Sequence, residues 1–164
     1  MKHFLLGFMK KYLPLILLIL AFEIISGGIG HLNMGSVREW YETLNRPSFA
    51  PPNWVFPIVW PTLYAMIATA GWFIWRMPQG KDRSQLLGLF CAYMLLNWGW
   101  SFVFFGAQAI FAGFVWIVVY DIVALALVIK AWKAERRVAW LMLPSLFWTV
   151  FAAVLNFAYW HLNS

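Results

Sequence analysis

Tryptophan and asparagine side chains recur at helical spacing in three apolar segments of this 164-residue chain. Residues three or four positions apart lie on one face of a helix. Three such faces combine a flat aromatic ring with small or amide side chains, and together they could bind a flat, mainly apolar ligand with a few polar edges. The alternative is that they only pack the helices together. The faces are Pro57, Trp60 and Tyr64; Asn97, Trp100 and Ser101; and Trp148, Ala152 and Asn156.

Two acids, Glu23 and Asp121, lie inside apolar segments. Acids within a membrane are candidates for proton relays or ion sites. Each is isolated here and has no basic partner inside any apolar segment, so a proton-coupled pump is not indicated. We expect structural roles for both acids, either protonated or hydrogen-bonded to Ser, Tyr or Asn on a neighbouring helix, with Tyr120 and Asn97 as candidate partners.

Metal and nucleophile chemistry are not indicated either. The histidines, His3, His31 and His161, lie at the termini or in the first loop, not paired at helical spacing or beside an acid, so no metal site is expected. The single cysteine, Cys91, cannot form an intrachain disulfide, and we predict that it is a small buried hydrophobic residue. No Ser/His/Asp set, P-loop or glycine-rich nucleotide motif is present.

The composition is that of a membrane protein, with 63% hydrophobic and 11% charged residues. Five segments without lysine or arginine have about the 20 residues that a helix needs to cross the hydrocarbon core. They lie at about residues 12–29, 54–75, 86–105, 109–129 and 138–160. The sequence therefore predicts an all-α integral membrane protein, a single five-helix domain over residues 1–164 with a long first loop at 30–53.

The basic residues are divided unequally between the two ends of such a bundle. Ten fall on the side of the N-terminus, whereas only Arg38 and Arg46 fall on the other side. This bias predicts a cytoplasmic N-terminus and an outer C-terminus. A basic rim near anionic lipid accounts for the net charge of +6 without a nucleic-acid partner. We expect the first apolar segment to be retained as a span, because it is longer than a usual signal-peptide core and lacks an A-x-A site.

The first loop has a structured sequence. Ser36 to Glu39 forms a capping box, which predicts a short helix through Trp40, Tyr41 and Leu44. The following stretch, NRPSFAPPNWVFPIVW, has four prolines in sixteen residues, which gives a stiff path back to the membrane. The loop is either a rigid connector or a lid over a cavity.

These motifs resemble the translocator protein family, also called the tryptophan-rich sensory protein or peripheral benzodiazepine receptor family. The resemblance covers nearly the whole chain in order. It is carried by Trp40-Tyr41, Leu44, Pro47-Ser48, Pro51-Pro52, Trp54, Trp60 and Leu63-Tyr64, then by Leu96 to Trp100, Phe104 to Gly106 and Asp121, and finally by Pro144 to Trp148, Phe151-Ala152 and Leu155-Asn156.

The resemblance implies a five-helix membrane protein, commonly a homodimer, whose first loop closes a ligand pocket. The ligands that it implies are porphyrins such as protoporphyrin IX, isoquinoline and benzodiazepine compounds, and sterols, with no required cofactor. In bacterial members, Trp60 and Trp148 resemble a pair linked to light-dependent porphyrin breakdown, and a cytoplasmic-membrane location follows. The implied lining is Tyr41, Pro51, Trp54, Trp60, Asn97, Trp100, Trp148, Ala152 and Asn156.

This sequence departs from the family pattern at three places. Phe49 and Ser145 replace a frequent tryptophan and a usual tyrosine, and no basic residue follows Tyr159, so the sterol-recognition pattern fails and we expect weak sterol binding. Three functions are therefore weighed: a receptor or transporter for tetrapyrroles, an enzyme that degrades protoporphyrin IX in light, and a scaffold with an incidental pocket. Small-xxx-small spacings at Gly88 to Ala92 and Ala109 to Gly113 also fit a homodimer.

Overall fold

The computed structural model describes the backbone of residues 2–164 and the side chains from Tyr12 onward. This part of the chain contains six α-helices and no strand. They are α1 (Lys2–Leu32), α2 (Met34–Glu39), α3 (Phe56–Arg76), α4 (Lys81–Ser101), α5 (Ile110–Ala134) and α6 (Arg136–Asn163). Short 3₁₀ turns lie at Tyr41–Thr43 and Asn53–Val55, and a π-helical turn, Phe102–Gly106, follows α4.

The five long helices are apolar enough to cross a membrane, which confirms the predicted five-helix membrane bundle. The spans are Tyr12–Leu32, Asn53–Arg76, Lys81–Gly106, Ile110–Ala134 and Arg136–Asn163. Most extend a few residues beyond the apolar segments marked in the sequence. The extension is expected because a helix satisfies its own backbone hydrogen bonds as it passes from hydrocarbon into the polar interface.

The core is packed most tightly away from the first loop. Helix α5 contacts both α4 and α6, and α3 contacts α1 and α6. The hydrophobic side chains with no exposed surface lie in the middle of the bundle or in the half remote from the loop: Ile67, Ala68, Ala70, Ile74, Leu86, Tyr93, Leu127, Ala131, Val138 and Ala139. The loop half instead holds partly exposed aromatic rings, among them those of Trp60, Trp100 and Trp148.

Helix α4 approaches its neighbours closely at two glycines. A Cβ atom on Gly99 would lie 2.7 Å from the Trp116 ring, and one on Gly71 would lie 2.7 Å from the Phe90 ring. The Trp116 indole also donates a 2.8 Å hydrogen bond to the Leu96 carbonyl, across the α4–α5 contact. These large rings therefore occupy space that only glycine leaves free.

The predicted capping box is wrong. Helix α2 begins at Met34, two residues before Ser36, and Asn33 precedes it without a side-chain capping bond. The Ser36 hydroxyl instead donates a 2.6 Å hydrogen bond to the Phe105 carbonyl. The helix also ends at Glu39 rather than continuing through Leu44. Helix α2 follows α1 after a single residue, and backbone hydrogen bonds continue across the junction, from the Asn33 amide to the Ile29 carbonyl and from the Val37 amide to the Asn33 carbonyl.

The prediction for Cys91 is also wrong, because the residue is exposed on the outer surface of the bundle. Of the two small-residue spacings, the one ending at Gly113 is used inside the chain, since a Cβ there would lie 2.9 Å from Phe104. A Cβ on Gly88 would meet nothing within 4 Å. Only the α4 spacing leaves its glycine open to a second copy.

Candidate ligand-binding site beneath the first loop

The first loop is fastened to the C-terminal end of α6. The Tyr41 hydroxyl donates a 2.9 Å hydrogen bond to the Tyr159 hydroxyl. The backbone of Asn45 forms two hydrogen bonds with the Asn163 side chain. Its N–H donates to Asn163 Oδ1 at 2.8 Å, and its carbonyl accepts from Asn163 Nδ2 at 3.1 Å. Burial and then the Tyr159 hydrogen bond raise the pKa of Tyr41, so its phenol remains a donor at neutral pH. These contacts hold the loop over the end of the bundle.

The proline-rich part of the loop is stiffened by Arg46. Its guanidinium donates to the Pro51 carbonyl and, at 3.2 Å, to the Asn53 side chain. It also borders a small pocket of about 90 Å³ where the loop meets α6. The Phe49 and Phe151 rings are in edge-to-face contact, with their centres 6.4 Å apart. The loop thus has both a polar and an aromatic attachment to the helices.

Asn97 lies at the centre of a hydrogen-bonded group that joins three helices. The Tyr64 hydroxyl of α3 donates to Asn97 Oδ1 at 2.7 Å, and Asn97 Nδ2 donates to the Tyr120 hydroxyl of α5 at 2.9 Å. The Trp60 ring stacks on the Tyr64 ring, and the two ring centres are 5.4 Å apart. Asn97 points inward, as predicted, but both ends of its amide are already bonded. It positions Tyr64, and through Tyr64 the Trp60 indole.

Trp100 belongs to a second aromatic group nearer the loop. Its ring stacks on that of Phe104, with the ring centres 4.8 Å apart. Its indole N–H donates a 3.1 Å hydrogen bond to the Gly113 carbonyl. The Tyr41 ring meets the same Phe104 at 6.0 Å. Phe104 therefore joins the loop to Trp100. Phe104 is not among the predicted lining residues, although its spacing of four from Trp100 places the two on one helix face.

Trp148 lies on the third face, on α6. The centre of its ring lies 5.9 Å from that of Phe56 and 5.7 Å from that of Phe151. The Phe151 ring in turn contacts Phe49 of the loop. Ala152, one turn further along the same helix, is half-buried. This face is connected to the first loop by a tilted contact of Trp148 with Phe151 and an edge-to-face contact of Phe151 with Phe49, and not by hydrogen bonds that the structure displays.

Asn156 differs from Asn97 in that its amide is unpaired. The residue is 3% exposed, and neither its Oδ1 nor its Nδ2 has a hydrogen-bond partner among the described residues. Its nitrogen lies beside Gly113, 3.5 Å from where a Cβ would stand. An unpaired buried polar group costs roughly 1–3 kcal/mol. Asn156 therefore offers a donor and an acceptor to a molecule that enters this region.

Two of the predicted lining residues lie at the rim. Pro51 uses its carbonyl to accept the Arg46 hydrogen bond. Trp54 is 66% exposed at the start of the second span, a position typical of an interfacial tryptophan. Tyr64 contacts both Trp60 and Asn97, and Phe104 contacts both Tyr41 and Trp100. In the part of the chain described, no aromatic ring links Trp54 to these residues.

The predicted partners of the two acids are wrong. Tyr120 and Asn97 bond to each other, and Asp121 lies beside Thr149 of α6 instead. Consecutive residues on a helix point about 100° apart, so a tyrosine that faces α4 directs the next side chain elsewhere. The Oδ1 atom of Asp121 is buried with no partner among the described side chains. Within the same range, no three His, Cys, Asp or Glu side chains form a possible metal site.

Comparison with known proteins decides the family. Residues 15–161, which include most of the first span and nearly all of the last, match the model of the TspO/MBR family. The chain belongs to the TspO/MBR family. It is 36% identical over 129 residues to the tryptophan-rich protein TspO of Archaeoglobus fulgidus, covering 79% of this chain and 83% of that one.

Relatives also come from animals. The translocator protein of Sus scrofa is 33% identical over 132 residues, covering 79% of this chain and 78% of its own. The human translocator protein is 31% identical over 131 residues with the same coverage. TspO/MBR membership confirms the resemblance seen in the motifs, and it agrees with the five membrane spans.

Proposed function

We propose that this TspO/MBR protein binds porphyrins, protoporphyrin IX and related tetrapyrroles among them, in the tryptophan-lined region beneath the first loop. The observation that carries the proposal is the buried, unpaired amide of Asn156, whose nitrogen lies beside Gly113, where the Phe104 ring also packs. A porphyrin has a wide apolar face together with pyrrole nitrogens and carboxylates. It can thus pack against indoles and also satisfy an amide, which lipid chains cannot do.

The aromatic rings of this region are suited to a planar ligand. Trp60, Trp100 and Trp148 are each half-buried, so part of each ring remains available for contact. Flat rings bury a large area with little loss of conformational freedom. Isoquinoline and benzodiazepine compounds share this planar, mainly apolar character and belong to the same proposed ligand class. Sterols lack the flat π-face, and their expected affinity is lower.

Entry of a ligand requires the loop to move. The fastening pairs, Tyr41 with Tyr159 and Asn45 with Asn163, must open or shift to admit a molecule of porphyrin size from that end. Arg46 at the rim then supplies a positive charge for porphyrin carboxylates. Relatives are named both "Translocator protein" and "Tryptophan-rich sensory protein". These names support a transport or sensing role built on the same binding step.

The direct test is a titration of the protein in detergent with protoporphyrin IX, read from quenching of tryptophan fluorescence. Trp60→Ala should weaken binding about tenfold or more, because one stacked ring contributes roughly 1–3 kcal/mol by analogy with base stacking. Trp75→Ala is the matched control, since Trp75 is 67% exposed at the other end of α3. Equal affinity in wild type and Trp60→Ala would place the ligand elsewhere, and no binding would favour a scaffold role.

A second candidate function, light-dependent degradation of protoporphyrin IX, is favoured by one contact. Trp60 stacks on the phenol of Tyr64, so an easily oxidised indole lies against an easily oxidised phenol. Trp148 contacts only phenylalanine rings among its observed aromatic neighbours. Under illumination, Trp60→Phe and Trp148→Phe should reduce formation of a defined product more than they reduce binding. Bleaching without a defined product, at the same rate in both variants, would exclude this activity.

The remaining aspects of the proposal concern the assembly and its setting. We place the chain in a bacterial cytoplasmic membrane, as the family resemblance implies, with the N-terminus inside, which the ten-to-two division of basic residues supports. A homodimer is supported by the open surface at Gly88 on α4.

A further inference from the structure

A second cleft lies at the end of the bundle opposite the first loop. Its volume is about 560 Å³, within the range of about 300–1,000 Å³ that is usual for ligand pockets. It is formed where the N-terminal part of α1, the C-terminal end of α3 and the turn between α5 and α6 meet. The lining residues are Tyr12, Trp72, Phe73, Arg76, Met77, Pro78, Ala134, Glu135 and Arg137.

The apolar wall of this cleft is aromatic. The rings of Trp72 and Phe73 lie 5.1 Å apart, and the Tyr12 ring lies 6.4 Å from Trp72. These residues are at the ends of two spans, Tyr12–Leu32 and Asn53–Arg76, and therefore at the boundary between hydrocarbon and headgroups. A molecule in the cleft would meet apolar rings on the membrane side and polar groups on the water side.

Two arginines form the polar side. The Arg76 guanidinium lies 4.7 Å from the Trp72 ring centre, and the Arg137 guanidinium lies 4.3 Å from that of Phe73. Arg137 also forms a bidentate ion pair with Glu135, in which two guanidinium nitrogens each lie 2.8 Å from a carboxylate oxygen. Arg76 has no carboxylate partner among the side chains that the structure describes. Among the side chains described around the cleft, the positive charge of Arg137 is therefore compensated and that of Arg76 is not.

We infer that this cleft binds an anionic phospholipid, with the phosphate at Arg76 and an acyl chain against Trp72 and Phe73. Charge complementarity favours an anionic headgroup over a zwitterionic one, because only one of the two arginines is neutralised. The place of the cleft at the ends of two spans makes its apolar wall continuous with the hydrocarbon. Basic pockets between transmembrane helices are an established way to bind anionic headgroups.

Glu135 sets the strength of this site. The hydrogen bond from Arg137 lowers the pKa of Glu135, so the carboxylate is charged at neutral pH and competes with a phosphate for the Arg137 donors. Neutralising this carboxylate should release Arg137 toward the lipid. Loss of Arg76 and loss of the Glu135 charge are therefore expected to change affinity in opposite directions.

The test is native mass spectrometry of the full chain in detergent, titrated with phosphatidylglycerol and, separately, with phosphatidylcholine. Wild type should prefer phosphatidylglycerol, and Arg76→Gln should weaken that binding about fivefold, as expected for one basic residue near a membrane surface. Arg83→Gln is the matched control, because Arg83 also lies over an indole, 5.0 Å from Trp75, but outside the cleft. Glu135→Gln should strengthen phosphatidylglycerol binding.

Three results would overturn the inference. Equal binding of the two lipids by wild type would remove the role of charge. An equal loss in Arg83→Gln and Arg76→Gln would show attraction to the basic surface in general. Binding of glycerol phosphate, which has no acyl chains, as tightly as the lipid would reveal a simple anion site. If Arg76→Gln does not fold, Glu135→Gln decides, since unchanged affinity in that variant contradicts the assignment.

Discussion

The two inward asparagines should respond in opposite ways to the same substitution. Asn97→Leu removes two hydrogen bonds that join three helices, and it leaves the Tyr64 and Tyr120 hydroxyls without this partner. Interhelical hydrogen bonds in membranes contribute about 0.6 kcal/mol on average and up to about 1.7 kcal/mol. The loss of both should therefore lower the unfolding free energy by about 1–3 kcal/mol.

Asn156→Leu should have no such cost. Its amide makes no hydrogen bond among the described residues, and leucine keeps the branching and the number of side-chain heavy atoms without the unpaired polar atoms. We expect unchanged or raised stability of the ligand-free protein, because an unsatisfied buried group is removed. The measurement is the unfolding free energy of each variant by sodium dodecyl sulfate titration in mixed micelles. If Asn156→Leu destabilises the protein as much as Asn97→Leu does, the distinction between a bonded and a free amide is incorrect.

Three further predictions concern packing, topology and assembly. Gly99→Ala should destabilise the bundle by about 1–3 kcal/mol, since the new Cβ would lie 2.7 Å from Trp116, whereas Gly88→Ala should change stability by less than about 0.5 kcal/mol; equal effects would refute the close α4–α5 contact. A cysteine at Gln79, in a background without the native cysteine, should resist an impermeant label in intact cells while one in the first loop reacts, and the reverse pattern would invert the topology. Ala92→Leu should weaken a homodimer in sedimentation experiments, and an unchanged dimer would place the interface on another face.

Hydropathy and helical spacing account for much of the architecture. The spans follow from long apolar segments, since in a membrane a single chain segment must satisfy its own backbone. The spacing of Trp60 and Tyr64 predicted a shared face, and the two rings stack. The inward direction of Asn97 and Asn156 followed from the cost of placing amides against lipid.

Other features depended on contacts between distant segments. The sequence could not distinguish Asn97 from Asn156, because the difference is whether hydroxyls on other helices reach the amide. Ser36 fits a local capping motif, but a carbonyl 69 positions away accepts its hydrogen bond instead. The small size of Cys91 is compatible with either a core or an outer face, and the rotation of α4 decides between them.

Ser145, where the family resemblance implies a tyrosine, has a physical explanation in the fold. It is 1% exposed, and its hydroxyl lies 2.6 Å from the Tyr93 hydroxyl on α4. The small side chain of Ser145 thus leaves room on α6 for the phenol of Tyr93. A pairing of this kind cannot be read from one sequence, because it depends on which residues face each other across two helices.

The most direct test of the proposed function is the dissociation constant for protoporphyrin IX of Asn156→Leu compared with wild type. If the free amide bonds to the bound porphyrin, its loss should weaken binding about tenfold, the equivalent of roughly 1.4 kcal/mol. Phe157→Leu, at a neighbouring and 45% exposed position, is the control and should bind like wild type. An unchanged dissociation constant for a stably folded Asn156→Leu variant would contradict a porphyrin site beneath the first loop.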